Sequence, residues 1–390
     1  MRVRIQKRGL FPALFVAVVG TVLLYLASTV GLGAWHASQA APQPGAGALP
    51  TVVENAPPSV PTTDEYGPVG GVSLVFAGTA VLDGLVGTLE HPWIAVSSRT
   101  GEYRAIDAPD LPAAGPAVMT TSHDGNLLAW ATGDGVVVYD AVTGESRTVP
   151  AEAVDHVGGF SPDSSLLLVQ GEELGIVDVG SGDVVATAEA DEPVVGRAAW
   201  RADSSAVDFV VDDELTTLGV GDGDVSTQPT DIPEPASLAW STNGDRLANL
   251  RQVDGVNRLF VSPLGDDGTL AEGEQVSTEG IALNRLIGFS GERTVAVAAY
   301  LLESGSVERI LDIRLDNRPP SDLMTLPSPG ENWVDTATLT IASDNLVAGS
   351  TEYDGQVWPW SYSSRLVACT LFALFLLGLY VTRRPRSSRR

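Results

Sequence analysis

Residues 160–187 read FSPDSSLLLVQGEELGIVDVGSGDVVAT, and this arrangement recurs along the chain. It contains an aromatic residue, a polar turn, the apolar run LLLVQ, a second turn, the run GIVD, a Gly-Asp turn and the run VVAT. Short apolar runs separated by turn residues are typical of β-strands joined by tight hairpins. The stretch therefore predicts a small antiparallel sheet.

The copies follow one another at a regular interval. The turn before each apolar run carries Asp124, Asp163, Asp203 or Asn243, and successive separations are 39, 40 and 40 residues. Four short strands in a repeat of about 40 residues are typical of the blade of a β-propeller. The interval predicts an all-β protein built of such blades.

The copies resemble the repeats of WD40 and TolB-like β-propellers, in which a Ser-Pro-Asp-Gly turn precedes a buried strand and a Tyr-Asp or Trp-Asp pair ends a later one. Tyr139-Asp140 and Val177-Asp178 stand at the position of that pair, and the resemblance covers about residues 120–290. At about 41 residues each, residues 72–362 would form about seven four-stranded blades, or six with longer loops.

We expect the ring to be closed by both ends of this region. The last copy, residues 338–360, shows three strand candidates, and residues 72–77 would supply the missing fourth strand. The aromatic residues that open the copies, Phe160, Trp200, Trp240 and Phe289, should pack between blades, because their place in each repeat is fixed.

The acidic residues are confined to the middle of the chain. No Asp or Glu precedes Glu54 or follows Asp354, and between them 49 acids stand against 13 arginines. Such a surface repels nucleic acid, which excludes DNA and RNA as partners. It suits cations and basic peptides, and it also serves plain solubility. The single cysteine, Cys369, lies outside this middle part, which therefore contains no disulfide.

Both ends of the chain predict membrane anchors. A basic tail (1–9) precedes the apolar segment 10–35, which is long enough as a helix to cross a hydrocarbon layer of ~30 Å. A cleaved signal peptide is the alternative, with Ser38-Gln39-Ala40 as the cleavage site. The Pro-, Ala- and Gly-rich residues 36–71 predict a flexible linker.

A second apolar segment, 364–382, predicts another transmembrane helix, and the basic tail 383–390 follows it. Basic flanks stay in the cytoplasm, so residues 72–362 should lie outside. These features predict a two-pass protein of a bacterial cell membrane with both termini in the cytoplasm. Cleavage near Ala40 would leave a single pass.

The sequence contains few candidates for chemistry. His123 and His156 lie near blade boundaries and could meet, but no histidine has the spacing of a zinc site. Asp222, Asp224 and Ser226 alternate as the oxygen ligands of Ca²⁺ do, without the glycine and glutamate of a complete calcium loop, so they are weak candidates beside a plain hairpin turn.

The leading hypothesis is a non-enzymatic platform, anchored to the bilayer, that binds another protein or a cell-envelope ligand. Its basis is a rigid disc without a recognisable catalytic constellation. The alternatives are a hydrolase-type propeller enzyme or a calcium-dependent binder, each with an acidic site in the central channel. Sensing across the membrane is a third hypothesis and would need a separate signalling partner.

Overall fold

The computed structural model describes residues 47–54, 60–78, 81–83, 87–113, 119–133, 135–150, 154–190, 192–221, 223–233, 237–301, 308–316, 318–326 and 338–353, with 20 and 369–372. Within these ranges no helix has the length and apolar character needed to cross a membrane. The predicted spans 10–35 and 364–382 lie almost wholly outside the described residues.

The described N-terminal part contains β1 (Leu49–Pro50), α1 (Thr63–Tyr66), β2 (Val72–Ala77), β3 (Val81–Asp83), β4 (Gly87–Leu89), β5 (Trp93–Ser97) and β6 (Tyr103–Ala105). Blade 1 consists of β7 (Met119–Thr121), β8 (Leu127–Thr132), β9 (Gly135–Asp140) and β10 (Ser146–Pro150). Blade 2 consists of β11 (His156–Phe160), β12 (Leu166–Gln170), β13 (Glu173–Asp178) and β14 (Val184–Glu189).

Blade 3 consists of β15 (Ala199–Trp200), β16 (Ala206–Val211), β17 (Glu214–Gly219) and β18 (Val225–Pro229). Blade 4 consists of β19 (Ser237–Trp240), β20 (Arg246–Val253), β21 (Val256–Pro263) and β22 (Glu274–Gln275). Blade 5 consists of β23 (Ile281–Gly291), β24 (Thr294–Leu301), β25 (Glu308–Arg314) and β26 (Ser321–Thr325). The elements β27 (Thr340–Ile341), α2 (Ser343–Ala348) and β28 (Ser350–Thr351) follow.

The described strands form a β-propeller of six four-stranded blades, so the prediction of about seven was wrong and the alternative of six is confirmed. The longer late repeats explain the difference. Blade 5 uses strands of 11, 8 and 7 residues where earlier blades mostly use five or six. The hairpin β3–β4, inserted between β2 and β5, takes up further residues.

The sixth blade, here called the closing blade, combines both ends of the ring in the order β27–β2–β5–β6. Its innermost strand comes from the C-terminal side and pairs with β2 through Leu74 opposite Ile341 and Val75 opposite Thr340. Closure by both ends was predicted and is confirmed. The predicted division of strands was reversed. The N-terminal side gives three strands of this blade and the C-terminal side gives one.

Hydrophobic clusters fill the interfaces between successive blades, which is where the core lies. Phe160 packs between blades 1 and 2, and Trp200 between blades 2 and 3. Trp240 and Phe289 occupy the next two interfaces. All four rings are buried, which confirms that they are core residues. Burying each such side chain contributes about 1.5–3 kcal/mol to stability.

The repeated acid stabilises the turn in which it lies. A carboxylate oxygen of Asp203 accepts hydrogen bonds from the hydroxyl and the N–H of Ser205, and these two bonds hold the pKa of Asp203 below its usual range. Asp163 and Asp124 accept the corresponding backbone bonds at 3.1 and 3.0 Å. An acid or amide therefore recurs in this turn of successive blades because each turn uses the same side-chain acceptor.

Two stretches within the segment predicted as a linker, 47–54 and 60–71, pack against the ring. Leu49, Val53 and Val60 belong to the cluster between blade 5 and the closing blade. The strand β1 pairs in parallel with β28, and Thr62 bridges to Ala105 at the outer edge of the closing blade. These residues cover apolar surface and an open strand edge.

One buried side chain connects three parts of the chain at the closure. Asn345, in α2, is fully buried. Its Nδ2 donates to the carbonyl of Val72 at 3.1 Å, and its Oδ1 accepts from the N–H of Gly47 at 2.7 Å. The amide therefore joins Gly47, the start of β2 and the helix α2.

Replacing Asn345 by Leu should lower the free energy of unfolding by about 2–4 kcal/mol, because the partners at Gly47 and Val72 would lose buried hydrogen bonds. Chemical denaturation measures the loss. The control is Ser350→Ala, which changes an exposed side chain nearby and should stay within about 0.5 kcal/mol of the parent. An Asn345→Leu variant as stable as the control would contradict this role.

Candidate functional site

The first turns of neighbouring blades touch one another and form one face of the disc. The N–H of Asp163 donates to the hydroxyl of Ser204 at 3.3 Å, and Arg246 donates to the carbonyl of Glu292 at 3.0 Å. The residues 122–126, 161–165, 201–205, 241–245 and 291–293 therefore share this surface, which we call the closure face. The helix α2 also lies on it, through Asp344.

Both ends of the described body meet on the closure face. The N–H of Ala48 donates to the carbonyl of Ser98 at 3.0 Å. The hydroxyl of Tyr353 lies 2.8 Å from the carbonyl oxygen of Ala48 and 2.6 Å from that of Ser98. The ring of Tyr353 covers Gly101, where φ is +67° and a Cβ would lie 2.6 Å from the ring. The phenol of Tyr353 thus holds residue 48, where the chain enters the folded body, beside residue 353, where the chain leaves it.

His123 contacts the C-terminal helix from blade 1. Its Nδ1 lies 2.5 Å from Oγ of Ser343, and its carbonyl accepts the N–H of Asp344 at 3.0 Å. Burial lowers the pKa of His123 below the ordinary 6.5, and this outweighs Asp344, a backbone hydrogen bond to Phe160 and two further acids, which raise it. The ring is therefore neutral at pH 7.

His123 and His156 do not come together. His156 begins β11 and Phe160 ends it at the closure face, so four residues of extended strand separate His156 from that face. At about 3.3 Å per residue this is roughly 13 Å. The partner of His123 is Ser343, which is 220 residues away in the sequence.

The strands nearest the axis carry few charges. Among the described residues of β7, β11, β15, β19, β23 and β27, the titratable side chains are those of His156 and Arg285. No Asp or Glu occurs in these six strands. An acidic site near the axis would therefore have to draw its carboxylates from the turns at the two mouths of the channel.

The candidate calcium ligands lie at the rim of blade 3. Asp224 and Ser226 belong to the hairpin that joins β17 to β18, where the N–H of Gly219 donates to the carbonyl of Asp224. Asp222 lies outside the described residues. In the part of the chain that the structure describes, no three His, Cys, Asp or Glu side chains are grouped to hold a metal. Calcium binding here stays a prediction.

The sequence analysis missed a buried charge between blades 3 and 4. Asp208 is fully buried and accepts hydrogen bonds from Nε of Arg201 and from the indole of Trp240, both at 2.8 Å. Its hydrogen bond raises the pKa of Arg201 above the ordinary value. The signal was present, since Asp208 interrupts the otherwise apolar run AVDFVV. The hydrogen bonds connect blade 3 with blade 4. Arg201 and Trp240 together satisfy the buried carboxylate of Asp208, so its burial has a structural explanation.

The chain is thus a six-bladed β-propeller with its ends joined on one face. No family model and no curated protein sequence matches it. A putative TolB from Agrobacterium tumefaciens is similar in structure, with 12% identity, a TM-score of 0.42, and coverage of 56% of this chain and 83% of that one.

Two further solved structures are similar at the same level. For hydrazine synthase of Kuenenia stuttgartiensis the identity is 15%, the TM-score 0.42 and the coverage 58% of this chain and 70% of that one. For a eukaryotic initiation factor the values are 14%, 0.37, 63% and 61%. Likenesses this distant transfer no activity to the chain.

The contact at Tyr353 should make stability fall in alkali. Burial raises the pKa of Tyr353 to about 12, above the value near 10 of an exposed phenol. The folded state therefore favours the neutral phenol, and this stabilisation is complete below pH 10 and is lost as the pH rises towards 12. Relative to Tyr353→Phe, the parent should be more stable at pH 8, and the difference should shrink between pH 10 and 12.

Urea midpoints of the two proteins, measured at each pH, give that difference while other titrations cancel. A difference that stays constant from pH 8 to 12 would show that Tyr353 ionises as freely in the folded state as in the unfolded chain.

Proposed function

We propose that this propeller is a binding platform held outside a bacterial cell membrane by an apolar segment at each end. The observation that carries the proposal is the meeting of residues 47–48 with Tyr353 at Ser98. Two anchors in one bilayer favour a folded body in which the chain enters and leaves on the same face, close together.

The lengths of the intervening segments agree with such an arrangement. Eleven residues separate segment 10–35 from Gly47, and ten separate Tyr353 from segment 364–382. Fully extended, each would span at most about 40 Å. The closure face would then be turned towards the bilayer, and the opposite face would be presented to partners.

The opposite face offers an acidic surface. The hairpins between the second and third strands of blades 2 and 3 expose Glu172, Glu173, Asp212, Asp213 and Glu214. Carboxylates at this density raise the encounter rate with cationic surfaces. We therefore expect the partner to be a protein or cell-envelope ligand with a basic contact surface.

Labelling of single cysteines tests the topology. Cys369→Ser removes the one native thiol, after which Thr227→Cys places a thiol on an exposed strand of blade 3 and Ser387→Cys places one in the C-terminal tail. In spheroplasts, a membrane-impermeant maleimide should label position 227 at once and position 387 only after permeabilisation. Labelling of 387 first would contradict the orientation.

Site-specific crosslinking tests which face binds. A photoreactive amino acid at Asp213 should crosslink the full-length protein to a partner in membranes of the native host. The matched control places it at Asp267, an equally exposed acid in a turn of blade 4 on the closure-face side. Adducts from position 267 without adducts from 213 would contradict a partner on the opposite face.

A further inference from the structure

Ser343 and His123 form a hydrogen-bonded pair beside the axis of the ring. Ser343 is the first residue of α2 and follows the innermost strand β27 after one residue, and His123 follows the innermost strand β7 after one residue. Their Oγ and Nδ1 atoms lie 2.5 Å apart. Both residues are half-buried, so the pair is in partial contact with solvent.

The tautomer of His123 decides which partner donates the hydrogen bond between His123 and Ser343. The backbone of Phe160 also acts on the imidazole, in the direction that raises the pKa of the ring. In the tautomer that carries its proton on Nε2, the unprotonated Nδ1 faces Oγ of Ser343 at 2.5 Å. Nδ1 then carries the lone pair, and the hydroxyl of Ser343 donates to it. A general base needs this arrangement towards its nucleophile.

The surroundings suit the transfer of a proton to the ring. Three acids act on His123, namely Asp344 on α2, Asp124 in the same turn and Asp163 in the first turn of blade 2. They would stabilise an imidazolium as it forms, while burial keeps the resting ring neutral. The three carboxylates come from α2 and from the first turns of blades 1 and 2, so closure of the ring assembles the pair and its charges together.

We propose that Ser343 is an acylatable nucleophile with His123 as its general base, and that the substrate class is small esters with a good leaving group. Oγ of Ser343 attacks the carbonyl carbon while Nδ1 of His123 takes the hydroxyl proton. The C–O bond to the leaving alcohol breaks, and the alcohol takes that proton from His123. Water, deprotonated by the same nitrogen, then attacks the acyl carbon. The bond from that carbon to Oγ of Ser343 breaks, the acid leaves, and Oγ takes the proton back from His123.

This activity is independent of the binding platform. It places a hydrolase-type site in the turns of the closure face, whereas partner binding is expected on the opposite face. If the experiment on partner binding fails, the esterase activity can still be tested, and the reverse also holds.

The test uses the full chain in detergent and a fluorophosphonate probe, whose phosphorus is attacked by Oγ with loss of fluoride. Peptide mass spectrometry should find one adduct, on the peptide with Ser343. Ser343→Ala should abolish it, and His123→Gln should slow it at least tenfold. Ser350→Ala, which removes an exposed hydroxyl seven residues away, should leave the rate unchanged.

A pH profile of the parent protein does not depend on whether the variants fold. The labelling rate should be level above pH 7 and should fall in acid, with a midpoint below 6.5, as His123 takes up a proton. The proposal is overturned if the folded parent gives no adduct, if the adduct lies on another serine, or if the rate is the same from pH 5 to 8. An equal rate in a folded His123→Gln variant would overturn it as well.

Discussion

The pairing of β27 with β2 is the interaction on which the whole ring depends. Two residue pairs make this junction, yet it must hold six blades in a circle. If it opened, the apolar clusters on both sides of the closing blade would meet water. The protein compensates for the short ladder with contacts from outside it, in which Asn345 and Tyr353 take part and β1 runs beside β28. The closure is therefore a property of several segments that are distant in the sequence.

The sequence could predict what repeats. The Asp turns, the buried aromatic residues and the four-strand period all follow from chemistry within about 40 residues, and the structure shows each of them. The blade count failed because the period lengthens in blade 5 and a hairpin interrupts the closing blade. Dividing the length by a mean period cannot detect such local changes.

Contacts that occur only once in the fold could not be predicted from the sequence, because they leave no repeated pattern. Asn345 lies 298 residues from Gly47, and Ser343 lies 220 from His123, and no local pattern connects either pair. The buried Asp208 had a visible signal in an apolar strand, but its partner Trp240 belongs to the next repeat. The sequence analysis considered His123 beside His156. His156 begins β11 and Phe160 ends it at the closure face, so His156 lies away from the face that carries His123.

The parallel direction of β1 and β28 has a mechanical consequence. The chain approaches the start of β1 from one side and leaves beyond the end of β28 on the other. Tension between the two ends would therefore slide one strand along the other, and the hydrogen bonds at Leu49 and Thr51 would resist as a group. In an antiparallel pair pulled apart at one end, the hydrogen bonds would instead break one after another. A pull between the two ends would thus load the contacts of Gly47, Ala48 and Tyr353 first, and behind them the β1–β28 pair in shear.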